Sequence, residues 1–185
     1  MVANLFMHLG AHQNAEVDES MMRHMVLNTI RFNLKKFKGE FGSDIVMACD
    51  AQGSWRRKEF KEYKAKRAAA RDVPNGLDWD SIFKVFNTIK AELKEYFPYR
   101  VIEIAGAEAD DVIGTLVAKN GIEFGYGDPI LIISGDKDFI QLQKYNNVKQ
   151  YSPVQKKWIT NPNPELYLDE QVLRGDSIDG IPNVL

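Results

Sequence analysis

The chain has 185 residues, 44% hydrophobic and 27% charged, with a net charge of −2, which is the composition of an ordinary water-soluble globular domain. It has no apolar run approaching the ~20 residues that span a bilayer, its first residues lack the basic region and cleavage site of a signal peptide, and its one cysteine, Cys49, cannot form an internal disulfide. These features argue against a helix that spans a membrane and against a disulfide-stapled domain, and the expected location is cytoplasmic.

Apolar periodicity alternates between helix and strand along the chain. Val2 to Leu9 reads as the tail of a helix. Asp18 and Ser20 can cap a second helix, with Met22, Met25, Val26 and Ile30 near helical spacing, ending near Gly39 or Gly42. Asp44 to Cys49 is a short buried strand ending at Asp50. The basic stretch WRRKEFKEYKAKRAAAR follows, from Trp55 to Arg71. It holds eight Lys or Arg and two Glu, so it carries +6 and leaves −8 for the rest. After the Asn75-Gly76 break, Asp78 caps a long amphipathic helix with Ile82, Phe83, Phe86, Ile89 and Leu93 on one face, stopped by Pro98. Val101–Ala105 is a strand. Ala109–Lys119 is a helix closed by Asn120-Gly121. Pro129–Ser134 is the clearest buried strand. Val148–Tyr151 and Lys157–Ile159 are short strands around a turn at Pro153. Leu166–Arg174 is a final helix, followed by a loop.

Strands alternating with helices imply a Rossmann-like α/β fold, a central, mostly parallel sheet with helices on both faces. Ligands in such folds bind beyond the carboxyl ends of the strands. Here those ends carry acids. Asp50 follows the first strand, Glu108, Asp110 and Asp111 the second, and Asp136 and Asp138 the third; Asp176 and Asp179 lie further on. Any one of these alone is more readily a helix-capping acid or an Asx turn than a site residue. Their recurrence at successive strand ends points instead to shared chemistry. Clustered carboxylates repel and take up protons unless cations offset them. Oxygen ligands select hard ions, Mg²⁺ or Mn²⁺. The three histidines, His8, His12 and His24, all precede these acids, which argues against zinc. Two hard ions side by side are a common device for phosphodiester hydrolysis.

E-A-D-D-V-I-G at 108–114, S-G-D-K-D-F at 134–139 and L-R-G-D-S-I-D-G-I-P at 173–182 resemble the signature blocks of the 5′-nuclease family. That family, PIN-like in fold, includes flap endonucleases and the 5′-exonuclease domains of bacterial DNA polymerase I. WRRKEFKEYKAKR and N-V-K-Q-Y-S-P-V-Q-K-K-W at 147–158 look most like the ribonuclease H of T-even-type bacteriophages. The resemblance implies one 5′-nuclease catalytic core over 1–185. It places a basic helical arch at about 53–76 and the start of a helix-hairpin-helix region at about 173–185.

The resemblance also implies residue roles. Asp50, Glu108, Asp110, Asp111 and Asp136 would serve the metal on the water-activating side, and Asp138, Asp176 and Asp179 the second, with Mg²⁺ or Mn²⁺ as the two ions. Arg56, Arg57, Tyr63, Lys64 and Arg67 would contact nucleic acid, Arg56 and Lys64 at the scissile and adjacent phosphates. Trp55, Phe60 and Tyr63 either stack on bases or pack the arch. The family normally opens with a further strand ending in Asp, between the strands ending near Asp50 and Ala105, and a helical hairpin motif, often with K⁺, follows Pro182. This reading therefore expects a core truncated at both ends.

The expected activity is metal-dependent 5′-3′ exonuclease or flap-endonuclease cleavage of DNA flaps or RNA/DNA primers in phage-type replication. For a phage-encoded protein the location would be the host cytoplasm. The expected partners are DNA and RNA/DNA with 5′ ends or flaps, a separate chain supplying the missing strand, and a single-stranded DNA-binding protein or clamp. Two alternatives stay open: a non-catalytic nucleic-acid-binding remnant or half of a split nuclease, and a PIN-type ribonuclease.

Overall fold

The computed structural model describes residues 18–65, 79–123 and 127–184. The expectations for the Val2–Leu9 helix, the Asp78 cap, the Asn75-Gly76 break and Arg67 fall outside these residues. Along the described chain the elements are α1 (Glu19–Phe41), β1 (Val46–Cys49), α2 (Trp55–Glu59), α3 (Trp79–Tyr96), β2 (Arg100–Glu103), α4 (Ala109–Glu123), β3 (Ile130–Ile133), a 3₁₀ helix (Lys137–Lys144), β4 (Val148–Ser152), β5 (Lys157–Ile159) and α5 (Pro164–Arg174). The chain divides into two compact units, 1–47 with 73–101, and 48–72 with 102–185.

In the first unit, α1 starts where expected. The Asp18 carboxylate accepts from Ser20 N and Met21 N at 2.8 and 3.2 Å, meeting two of the backbone donors that a helix start leaves unpaired. It stops at Gly42, whose φ of +75° suits a residue without Cβ. Met22, Val26 and Ile30 of α1 share a buried cluster with Ile82, Val85, Ile89 and Leu93 of α3. Both sets recur at three- and four-residue spacing, which lines one face of a helix. Arg23 adds a two-pronged bond to Glu92, with N–O distances of 2.7 Å each. Val85 belongs to this core and Phe83 does not: Phe83 is 42% exposed, which corrects the apolar face read from the sequence by one position.

β1 pairs with β2, and β3, β4 and β5 form a separate three-stranded sheet in that order. β3 and β4 run parallel, Ile130 opposite Val148; β4 and β5 run antiparallel, Tyr151 opposite Trp158. The α/β class with parallel pairing is as expected, but among the described residues the strands do not join in one sheet. β1 and β2 are hydrogen-bonded neighbours, so the further strand implied by the resemblance has no place between them, which corrects that expectation.

In the second unit, Val117 of α4, Ile132 of β3, Val148 of β4 and Phe139 of the 3₁₀ helix form an apolar cluster. α4 continues through Asn120-Gly121, beyond the stop read from the sequence. The stretch 137–144, to which the sequence reading assigns no element, is the 3₁₀ helix. The Asp136 carboxylate caps it by accepting from Asp138 N at 3.1 Å. In α5, the Asn163 side chain accepts from Leu166 N at 3.1 Å and Pro164 occupies the first turn, where a missing N–H costs nothing.

Ile82 is fully buried. Ile82→Ala is expected to lower unfolding free energy by about 2–5 kcal/mol, through lost burial and the cavity left behind. Phe83→Ala is expected to change it by less than about 1 kcal/mol. Urea denaturation of both variants checks the assignment, and equal losses would contradict it.

Candidate active site

All the sequence-predicted acids lie in the second unit. β1 delivers Asp50, and its carboxylate accepts from Ala109 N, at the start of α4, at 2.8 Å. The turn after β2 is tied to the segment after β1 by Ala51 N to Ala107 O at 3.2 Å and Trp55 N to Gly106 O at 2.8 Å. Gly106 has φ +80°, a conformation that glycine adopts without strain. These backbone bonds bring the ends of the two strands together, with Glu108, Asp110 and Asp111 beside Asp50.

Asp110 reports the convergence most directly. Its pKa is pushed up to about 6, first by burial and then by repulsion from Asp136, Asp50 and Asp138. Carboxylates that follow β1, β2 and β3 thus act on one another. They do so across space and not as one tight shell: among the described residues, no three His, Cys, Asp or Glu side chains are grouped to hold one ion. The donor set is all oxygen and carries excess negative charge, which fits hard divalent ions.

Glu108 and Asp111 have a different environment. Glu108 is buried, and its Oε2 accepts from Tyr63 Oη at 2.9 Å, Lys64 Nζ at 3.1 Å and Arg56 Nη1 at 3.5 Å. Burial alone would raise its pKa; the Lys64 and Tyr63 hydrogen bonds outweigh burial and hold it below the usual range. Asp111 takes a two-pronged bond from Arg56, at 2.7 and 2.8 Å. Its Oδ2 also accepts from Glu108 N at 2.9 Å and Trp55 Nε1 at 3.2 Å. The Arg56 bond is the main reason its pKa falls. Asp111 therefore belongs with the basic segment.

The basic segment contributes more than charge. Arg56 lies over the Trp55 ring, 4.8 Å from its centroid. Tyr63 is buried, with its hydroxyl on Glu108, so of the two roles read for it the packing one is observed. Trp55 and Phe60 are exposed, at 48% and 37%, as is Arg57. Lys64 adopts φ +55°, uncommon for a residue with a side chain. Its backbone N–H donates to Asp179 O at 2.9 Å while its ammonium reaches Glu108.

Asp176 and Asp179 form a separate turn. Asp176 Oδ1 accepts from Ile178 N at 2.7 Å and Asp179 N at 3.1 Å, an Asx turn. Asp176 and Ile181 close it with paired backbone bonds. Gly180 has φ +81°, and a Cβ there would meet Glu62 O at 2.7 Å. The turn thus sits directly against the basic segment.

Several residues here carry no signal in a strand-end reading. Gln171 of α5 donates to a carboxylate oxygen of Asp138. Tyr167, one turn earlier, has its pKa raised by burial and then by Asp138 and Asp136. Gln150, almost fully buried in β4, donates to the carbonyls of Ser134 and Asp136. Their available signals are the four-residue spacing of Tyr167 and Gln171 on one helix face, and a glutamine at an inward position of β4.

Strands and helices alternating along the chain, with carboxylates after successive strands beside a basic segment, define an α/β domain with an acidic cluster at its strand ends. A family model described as the 5′-3′ exonuclease, N-terminal resolvase-like domain, matches residues 5–172. The chain belongs to that family. It is similar to the ribonuclease H of Enterobacteria phage T4, 42% identical over 173 residues, covering 91% of this chain and 55% of that protein. It is similar also to a 5′-3′ exonuclease of Buchnera aphidicola, 34% identical, covering 76% of this chain and 47% of that one. The chain thus spans about half the length of these relatives. Its fold matches the 5′-exonuclease of phage T5 solved with bound zinc, with TM-score 0.74, 19% identity, and coverage of 98% of this chain and 67% of that one. It also matches the phage T5 flap endonuclease solved with DNA and metal ions, with TM-score 0.72, 19% identity, and coverage of 95% and 66%.

Among the described residues, no helix is long and apolar enough to cross a membrane.

The Asp110 shift has a definite sign. The folded-state pKa of about 6 lies above the ordinary carboxylate value, so the folded chain holds this proton more tightly than the unfolded one. Stability from this group is present at low pH and is lost as pH rises through about 6. Asp110→Asn is expected to raise the melting temperature of metal-free protein at pH 8 and to leave it nearly unchanged at pH 4. Melting curves of both proteins across that range check this, and an equal offset at all pH values would contradict it.

Proposed function

We propose that this chain is the catalytic core of a divalent-metal-dependent 5′-nuclease, cleaving phosphodiester bonds in 5′-flapped DNA or RNA-primed duplex. The observation that carries the reading is the Asp110 environment: carboxylates following three strands act on one half-buried acid, with Arg56 and Lys64 close by. Two Mg²⁺ or Mn²⁺ ions held by Asp50, Glu108, Asp110, Asp136 and Asp138, with Asp176 and Asp179 toward the second, would supply water activation and leaving-oxygen stabilisation. The phage T5 nucleases of the same fold, solved with divalent metal ions and with DNA, are consistent with this.

Arg56 and Lys64 have two kinds of anionic partner in this scheme. Without substrate they neutralise Asp111 and Glu108. The same guanidinium and ammonium groups would meet phosphate in bound nucleic acid, and Glu108 would then be available to a divalent ion. Asp111, bound by Arg56, Trp55 and its own helix start, is assigned to holding the base of the arch in place of metal ligation. Arg57, exposed beside Arg56, adds to phosphate attraction. A K⁺-binding hairpin and an interaction with a single-stranded DNA-binding protein or clamp remain part of the reading for the longer protein type.

Asp136→Ala is expected to lose cleavage of a 5′-flap substrate in Mg²⁺ while retaining most of its DNA binding. Gel-based cleavage and fluorescence anisotropy measure the two separately. Cutting at the unmutated rate would remove Asp136 from the site. If the unmutated chain binds flaps but cuts none in Mg²⁺ or Mn²⁺, the non-catalytic reading takes its place.

Arg56→Gln with Lys64→Gln is expected to weaken binding and reduce the log–log salt slope by roughly 0.9 for each duplex phosphate that the two cations no longer neutralise, and less on single strands. Neutral replacements are used because Glu at either position would set a carboxylate against Glu108 or Asp111. An unchanged slope would show that neither side chain meets phosphate.

A further inference from the structure

β4 alternates its side chains between faces, so Gln150 points the same way as Val148, a member of the apolar cluster. An aliphatic residue would be ordinary there, and a buried amide without partners is costly. Gln150 is 1% exposed and has a complete set of partners. Its amide donates to Ser134 O at 3.1 Å and to Asp136 O. Its carbonyl accepts from Gln143 Nε2 at 3.1 Å. Gln143 is braced in turn, donating to Ile159 O at 3.1 Å and accepting from Asn161 N at 3.0 Å. Two side-chain amides thus connect β5 to the turn that follows β3.

That turn, Ser134-Gly135-Asp136, carries a carboxylate of the proposed site. Asp136 itself is exposed, so side-chain packing does not hold it. The backbone on either side of Gly135 is held through its carbonyls by Gln150. Gly135 faces buried Ser152 closely, since a Cβ there would stand 3.1 Å from Ser152 Oγ. Asp136 N also donates to Ser134 Oγ at 3.1 Å. A ligand held by fixed outer partners binds its metal better than one on a loose loop, commonly by ~10–100-fold.

We propose that Gln150, braced by Gln143, is a positioning residue that fixes the Ser134–Asp136 turn and thereby the place of the Asp136 carboxylate for a divalent cation. The inference rests on the reading of Asp136 as a cation ligand, and the test separates the two.

Mn²⁺ affinity is measured by isothermal titration calorimetry, with melting temperature recorded for each metal-free protein. Gln150→Met keeps an unbranched side chain of similar length and removes both donors. It is expected to weaken Mn²⁺ binding by ~10-fold or more and to lower the melting temperature. Gln143→Met is expected to weaken binding in the same direction by a smaller factor. In cleavage assays, the Mn²⁺ concentration giving half-maximal rate is expected to rise more than the rate at saturating Mn²⁺ falls. A lowered melting temperature with unchanged Mn²⁺ affinity would make Gln150 a packing residue only and overturn the proposal. If Gln150→Met does not fold, Gln143→Met decides by the same criterion. Asp136→Asn is the control: if it binds Mn²⁺ as the unmutated chain does, the assignment of Asp136 to the cation site fails, whatever Gln150 does.

Discussion

The second unit is organised around a surplus of negative charge that it must hold without collapsing. Asp110 shows the cost, with burial and three neighbouring carboxylates pushing its pKa to about 6. Glu108 and Asp111, close by in sequence, escape that cost because Arg56, Tyr63 and Lys64 meet them. The site therefore contains two balances. One group of acids is neutralised by the protein's own cations, and the other is left repelling. An arrangement of the second kind has an affinity for cations built into its energy, because a bound ion converts repulsion into attraction.

The basic segment sets the first balance, and its Lys64 also partly offsets the repulsion at Asp110. Its Arg56 and Lys64 lie within hydrogen-bonding distance of acids on the body of the unit, and its backbone at Lys64 is bonded to the Asp176–Ile181 turn. The left-handed conformation of Lys64 lets one residue make both bonds, its N–H toward Asp179 and its ammonium toward Glu108. Gly180, with no space for a Cβ against Glu62, allows the turn to approach this closely. Anchoring of this kind confines where the two cationic side chains stand.

Much of this was legible in the sequence. The helix start at Asp18 and the stop at Gly42 follow from capping chemistry that acts within a few residues. The strands ending at Asp50, near Glu108 and before Asp136 are short apolar runs bounded by acids, and each lies within about two residues of its reading. Three ordered acidic blocks and a basic segment were enough to suggest the family. The misreadings share one cause. Phe83 and Val85 compete for one buried face, α4 runs through Asn120-Gly121, and 137–144 winds into a 3₁₀ helix, each according to what lies against it in the folded chain.

The sequence by itself determined which groups are available to the candidate site: the carboxylates at strand ends and the clustered arginines and lysines. These are properties of residue type and local spacing. Only the tertiary structure decided how the acids divide. Asp110 and Asp111 are adjacent in the chain, yet one repels Asp50 and Asp136 while the other is bound by Arg56. Gln150 and Gln171 acquired their places against the Asp136 turn and Asp138 in the same way. Electrostatic and hydrogen-bond energies depend on distance in space, and separations of 14 to 55 residues along the chain leave that distance open until the strands pair.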